Sequence, residues 1–179
     1  MTIEAVIQFW FEDLSPKNRF MKSNDLDETI RRRFHQLYIQ ATLNELYTWR
    51  STATGCLAEI IILDQFARNM FRDSPKAFQF DSLALALAQN SVSLGLDQQL
   101  SLEKRTFLYM PYMHSESLII HEQAMNLFSQ KGLEMNFEYE KRHKDIIEQF
   151  GRYPHRNKAL NRESTTEEIV YLSKPGSSF

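Results

Sequence analysis

Three short stretches of the chain concentrate arginine, histidine and carboxylate side chains where their neighbours are apolar. The first, Asp64-Gln65-Phe66-Ala67-Arg68-Asn69, follows a nearly continuous apolar run from Leu57 to Leu63. On a helical wheel Asp64 and Arg68 fall on the stripe of Leu57, Ile60 and Ile61, so they extend a core-facing side. The second is His114-Ser115-Glu116, at the head of a stripe that continues through Ile120, Ala124 and Leu127. A carboxylate at that end suits the helix dipole. The third is Gly151-Arg152-Tyr153-Pro154-His155-Arg156-Asn157, a sharp exit from a helix, joined by His143 on the stripe of Tyr139, Ile146, Ile147 and Phe150.

These residue types support two chemistries. One is anion binding by Arg68, Arg152, Arg156 and His155, with Asn69 and Asn157 orienting the ligand and Asp64 and Glu116 holding the arginines. Gln65 and His143 complete the expected binding set. The planar fork of arginine meets a carboxylate or phosphate with two parallel bonds, so the ligand is a small anion or a carboxylate terminus, the chain's own Phe179 included. The other is hydrolysis or group transfer on an anionic small molecule. There His114 or His155 acts as general acid or base, Glu116 orients the imidazole, and Arg152 or Arg156 stabilises developing charge. Ser115 adjoins His114 in sequence only, which is no nucleophile–base pair. A third reading, a helical scaffold for a protein partner, has no residue signature of its own and follows only from fold resemblance.

A purely structural reading stands beside these. Asp64 and Arg68, four residues apart, can pair with each other, and helix ends often share an arginine–carboxylate network without any ligand. His143 on an apolar stripe suits a satisfied core histidine, His35 and His121 are expected at packing or surface positions, and Cys56 reads as a small buried hydrophobe. Other chemistries lack their motifs. There is no glycine-rich phosphate loop, Gly-x-Ser-x-Gly elbow or calcium loop, and His121-Glu122 begins a zinc-protease pattern whose second ligand position holds Met125. No metal or cofactor is expected.

The elements that must position these residues read as helices. Ile3, Val6, Ile7 and Trp10 recur at helical spacing behind Thr2, and that helix should end before Pro16. Leu26, Ile30, Phe34, Leu37, Tyr38 and Ala41 form a longer stripe capped by Asn24 or Asp25. The segment from Thr54 to Phe66 is apolar on nearly every side, as in a helix surrounded by others. Further helices are expected from Ser74-Pro75, from Asp81 to a stop at Gly95, from Ser101 with an interruption at Pro111, from Ser115 to Gln130 and from Phe137 to Phe150. Ser164 with Glu167 reads as the capping box of a last short one. The fold class is therefore all-α, about eight helices in a single domain over 1–179, with a tail at 174–179 that frays unless it docks.

Composition narrows the function classes. Of 179 residues, 42% are hydrophobic, enough for a sizeable core, and the net charge of −2 lacks the basic excess of a nucleic-acid or anionic-membrane binder. A lone cysteine excludes an internal disulfide and suits a cytoplasmic setting. No stretch has the apolar length of a membrane span, and no basic residue precedes Lys17, unlike a signal peptide.

The same blocks carry a family resemblance. Phe9-Trp10-Phe11, Leu63-Asp-Gln-Phe-Ala-Arg-Asn69, Tyr109-Met-Pro-Tyr-Met-His-Ser-Glu116, Phe150-Gly-Arg-Tyr-Pro-His-Arg-Asn157, Arg162-Glu-Ser-Thr165 with Glu167-Glu168, and the Pro-Gly-Ser-Ser-Phe179 ending resemble the mainly bacterial domain of unknown function 924. The resemblance implies a helical array similar to tetratricopeptide folds and no established activity. Ala67 stands where that family tends to have proline, and Asn44 and Asn161 where glycine is common.

Overall fold

The apolar run that begins at Ala53 forms the axis of the structure, a computed structural model that describes residues 1–177. Helix α4 (Ala53–Ile61) starts where the Thr52 hydroxyl accepts from the Gly55 N–H at 3.1 Å. A Cβ on Gly55 would lie 2.0 Å from the Trp49 carbonyl oxygen, so only glycine lets the preceding turn come this close. A wide π turn over Ile62–Phe66 and the short α5 (Ala67–Met70) prolong α4 into one rod. Every residue from Leu57 to Phe66 is buried. The one acid in the run's first half, Glu59, receives a two-pronged fork from Arg50 at 2.8 and 2.6 Å.

Around this axis pack α1 (Ile3–Gln8, prolonged by a π turn over Phe9–Asp13), α3 (Asn24–Thr42), α6 (Asp81–Ser93) and α7 (Leu102–Met113). Phe9, Trp10, Phe34, Phe66 and Phe107 interlock at ring separations of 4.6–5.9 Å and fasten α1, α3 and α7 to the axis. Helices α8 (Leu118–Phe128) and α9 (Glu134–Phe150) form an antiparallel pair beside α7. Ile146, Ile147 and Tyr153 make a smaller second core, with Phe150 and with Tyr171 of α10 (Thr166–Leu172) packed on it. The helix α2 (Pro16–Phe20) links α1 to α3. The described residues thus contain ten α-helical segments and no strand, an all-α array, and none of the helices is long and apolar enough to cross a membrane.

Several boundaries differ from the sequence reading for identifiable reasons. Ser23, rather than Asn24 or Asp25, caps α3 by accepting from Leu26 N–H at 3.3 Å. The last capping box is Thr165 with Glu168, one residue later than Ser164 with Glu167, because the Ser164 hydroxyl instead accepts from Asn157. Pro111 does not interrupt α7. It lies in the last turn, where its missing N–H is lost from a single position while His114 N–H still reaches the Met110 carbonyl at 2.9 Å.

Arg19 closes the other end of the molecule. Its buried guanidinium donates to the carbonyls of Trp10, Phe11 and Leu14 at 2.6, 3.0 and 3.3 Å, satisfying the end of the widened first helix, and pairs with the half-exposed Glu103 at 2.6 Å. Arg19→Ala is expected to destabilise the fold by about 3 kcal/mol, since three carbonyls lose their donor. Glu103→Gln, which removes only the partly exposed ion pair, should cost less than about 1 kcal/mol. Urea denaturation of the two variants measures the difference.

Candidate functional site

The rod formed by α4 and α5 carries Asp64 and Arg68 to the junction between the main core and the second, smaller core. Asp64 is buried and its carboxylate is fully engaged. One oxygen receives Arg68 Nη1 at 2.9 Å and His114 Nδ1 at 2.7 Å, and the other receives Gln65 Nε2 at 2.5 Å. Burial pushes the carboxyl up, but Arg68 and His114 together hold it well below the usual carboxylate range. With the carboxylate ionised, His114 must donate through Nδ1, which leaves Nε2 as the acceptor nitrogen. Burial and the Arg68 charge hold the imidazole of His114 below its ordinary value, against the pull of Asp64.

Arg68 bridges Asp64 to α6. Both terminal nitrogens donate to the two oxygens of Asp81 at 2.9 Å, and Nη1 also bonds the Asp64 carbonyl at 3.0 Å. Asp81 occupies the first turn of α6, where the helix dipole favours a negative charge. The same carboxylate is approached by Arg156 Nη1 at 3.4 Å, so two guanidiniums from segments far apart in sequence share one acid. The rings of Phe78 and Tyr153 cover Arg156 at 4.7 and 4.6 Å from its central carbon. Burial and the Arg68 charge lower the Arg156 guanidinium from its usual value. Its Nε is buried and has no hydrogen-bond partner among the described residues. The cluster reaches solvent along one rim, where the side chains of Arg68, Asp81 and His114 are 21%, 19% and 17% exposed, against 7% for Arg156.

A second layer fixes Tyr153. Its hydroxyl donates to the Met113 carbonyl at 2.6 Å and lies 3.2 Å from His121 Nε2, while His121 Nδ1 lies 2.6 Å from the buried Glu140. His143 and His155 flank the ring at 5.8 and 5.5 Å. Burial drives His143 down to about 3 against the pull of the Tyr139 carbonyl, and burial together with the Arg156 and Arg68 charges drives His155 down to about 4. His121 is thus a buried packing residue, and so is His143, whose Nδ1 bonds the Tyr139 carbonyl at 2.7 Å.

Asp64, Gln65, Arg68, His114, His155 and Arg156 come together in this place, His143 packs against Tyr153 instead of lining it, and four other expected members lie elsewhere. Arg152 spends its fork on Glu168 at 2.7 and 2.8 Å. Asn157 joins that pair and receives Arg162, and Glu116 accepts the fork of Arg162 at 2.7 and 2.9 Å and the Tyr153 N–H at 2.8 Å. Glu116 therefore anchors the turn that carries Tyr153 rather than orienting His114. Asn69 points to the other side of the rod, where it and Arg72 hold Asp27. The docked carboxylate of Phe179 falls outside the described residues. Asp81 and Phe78 were missed: Asp81 was accounted for as a helix start, and nothing in the sequence tied it to an arginine 75 residues away. Among the described residues no three His, Cys, Asp or Glu side chains gather around a metal-sized point. Two shallow surface grooves, at Phe128–Phe137 and at Val170–Tyr171, lie elsewhere.

Two outcomes follow for stability. Asp81→Asn leaves two neighbouring cations without their shared counter-charge and should cost about 3 kcal/mol in urea denaturation. His143 and His155 are held neutral in the fold but protonate near 6.5 in the unfolded chain. Unfolding therefore takes up protons as pH falls below about 6.5, and stability drops by up to about 1.4 kcal/mol per pH unit for each imidazole until the folded-state values near 4 and 3 are reached. Denaturation midpoints at about pH 7.5 and about pH 5.5 should show this fall, and His143→Gln should reduce it.

With the geometry described, comparison with known proteins places the chain. The description "bacterial protein of unknown function (DUF924)" matches residues 6–176. A solved structure of a protein of unknown function from Agrobacterium tumefaciens, ATU0120, superposes with a TM-score of 0.91 at 34% identity, covering 96% of each chain. No curated protein matches. The chain belongs to this bacterial family of unknown function.

Proposed function

We propose that the chain binds a small anionic ligand, a carboxylate or phosphate, on the in-plane edge of Arg156. One observation carries this reading. A buried guanidinium ordinarily uses its donors, yet among the described residues Arg156 makes a single long bond of 3.4 Å, to Asp81, and its Nε has no partner. The rings of Phe78 and Tyr153 lie 4.7 and 4.6 Å from its central carbon, and the donors of a guanidinium lie in its own plane. In-plane approach is the geometry that grips a carboxylate or phosphate with two parallel bonds. Arg68, by contrast, is committed to Asp81 and Asp64 and serves to steady Asp81. Charge-assisted bonds of about 1.5–3 kcal/mol each support an affinity on the order of micromolar to millimolar.

A second reading rests on the His114–Asp64 pair. The carboxylate fixes the imidazole tautomer at 2.7 Å and leaves the Nε2 lone pair on a partly exposed ring near the Arg68 guanidinium. That is the arrangement of a general base next to a site for developing negative charge. It makes the chain a hydrolase or transferase for an anionic small molecule.

Thermal denaturation with acetate, benzoate, inorganic phosphate, and a short peptide as its acid and its amide tests both readings. At a hundredfold excess over Kd, binding adds about 2.7 kcal/mol, a rise of roughly 5–10 °C for a chain of this size. The acid should act where its amide does not. Arg156→Met should abolish the rise, and Arg156→Lys, which keeps the charge without the fork, should weaken it at least tenfold. A flat response of the native chain to every anion contradicts the binding reading. For the catalytic reading, His114→Gln should retain the anion-induced rise and lose turnover of any substrate found.

A further inference from the structure

The fixed charges at the Arg156 edge already cancel. Arg68 and Arg156 face Asp64 and Asp81, and Glu116 is matched by Arg162. An anion arriving at Arg156 therefore brings one uncompensated charge into a place with little water, which is unfavourable unless a counter-charge arrives with it. The counter-charge has an obvious seat. His155 is the neighbour of Arg156 in the chain and lies against the Tyr153 ring that covers it. Among the described residues, the groups that face His155 include Arg156 and Tyr153 from its own turn, Arg68 from α5, His114 from the end of α7, Glu116 from the loop before α8 and His143 from α9. In the free protein burial, Arg156 and Arg68 hold this imidazole near 4, so it is neutral at neutral pH. A carboxylate on Arg156 offsets the nearer of the two repelling charges and adds an attraction of its own.

Building on the anion-binding reading, we infer that the ligand is a monocarboxylate that enters together with one proton, and that His155 takes the proton. The exchange balances: a carboxylate and a solvent proton enter, and a carboxylate–imidazolium pair forms beside Arg156 while no other bond changes. One imidazole compensates one charge, so the pairing favours a monocarboxylate over a phosphate dianion. The site thereby binds more tightly as pH falls.

The test is calorimetric titration of the full chain with benzoate, which stays ionised between about pH 5.5 and about pH 7.5. Titrations in two buffers of different ionisation enthalpy give the number of protons taken up. We expect an uptake approaching one proton and an affinity that weakens by between tenfold and a hundredfold over those roughly two pH units. His155→Gln should bind benzoate with no pH slope, and His114→Gln should keep the slope. In case His155→Gln fails to fold, the ring-proton resonance of His155 in the native chain should titrate at about 6.5 or above with benzoate bound, more than two pH units higher than without it. Equal affinity at both pH values with no proton uptake overturns the coupling and leaves the anion site standing. A slope lost in His114→Gln but kept in His155→Gln overturns the assignment to His155. Absence of benzoate binding at either pH overturns the anion site and the coupling together.

Discussion

One carboxylate, Asp81, holds two guanidiniums that reach it from opposite ends of the sequence. Arg68 comes from the central rod and Arg156 from the turn after α9, and the acid sits where the dipole of α6 favours it. Two like charges at that distance repel unless a shared counter-ion offsets them. Asp81 therefore ties the main core, through α5 and α6, to the smaller core around Tyr153. Most of the polar architecture nearby can be understood as support for this contact.

The support has two tiers. Asp64 restrains Arg68 from behind and at the same time fixes the tautomer of His114. On the other side, Glu116, Arg162, Asn157, Glu168 and Arg152 form a chain of paired forks that locks the 151–157 turn in place. Glu168 sits well below the usual carboxylate range, near 2, because the Arg152 fork and the Thr165 N–H outweigh its burial. This second tier leaves few donors to spare. Arg156 is the exception, and that difference separates a candidate site from a structural network. His143 and His155 beside Tyr153 add the other unusual feature, two imidazoles kept neutral by burial.

Much of this was legible in the sequence. The all-α class followed from periodicity, and the central rod was marked by its apolar run, with Asp64 and Arg68 extending the buried stripe. The convergence of Arg68, His114 and Arg156 was expected because charged residues on core-facing stripes have to meet something. What a single sequence does not encode is pairing between distant turns. Arg152 and Arg156 look equivalent in the letters, yet one is spent on Glu168 and the other stacks on Phe78 and Tyr153. Asp81 gave no signal because a helix start already explained it. Glu116 was assigned to the imidazole by proximity in sequence, whereas the turn that brings in Arg162 claims it. Boundaries shifted by a residue or two where a competing hydroxyl, Ser23 for Asn24 or Thr165 for Ser164, offered the better cap.

The account stands on the claim that the Nε–H edge of Arg156 donates to a bound carboxylate. Nitrogen-15 correlation spectra of the arginine Nε–H groups report on it directly, because a buried Nε–H exchanges slowly with water. On titration with benzoate, the Arg156 resonance should move downfield and saturate as the new bond forms, while that of Arg50, already committed to Glu59 through its Nε at 2.8 Å, stays in place. An Arg156 resonance that does not move at saturating benzoate contradicts the claim.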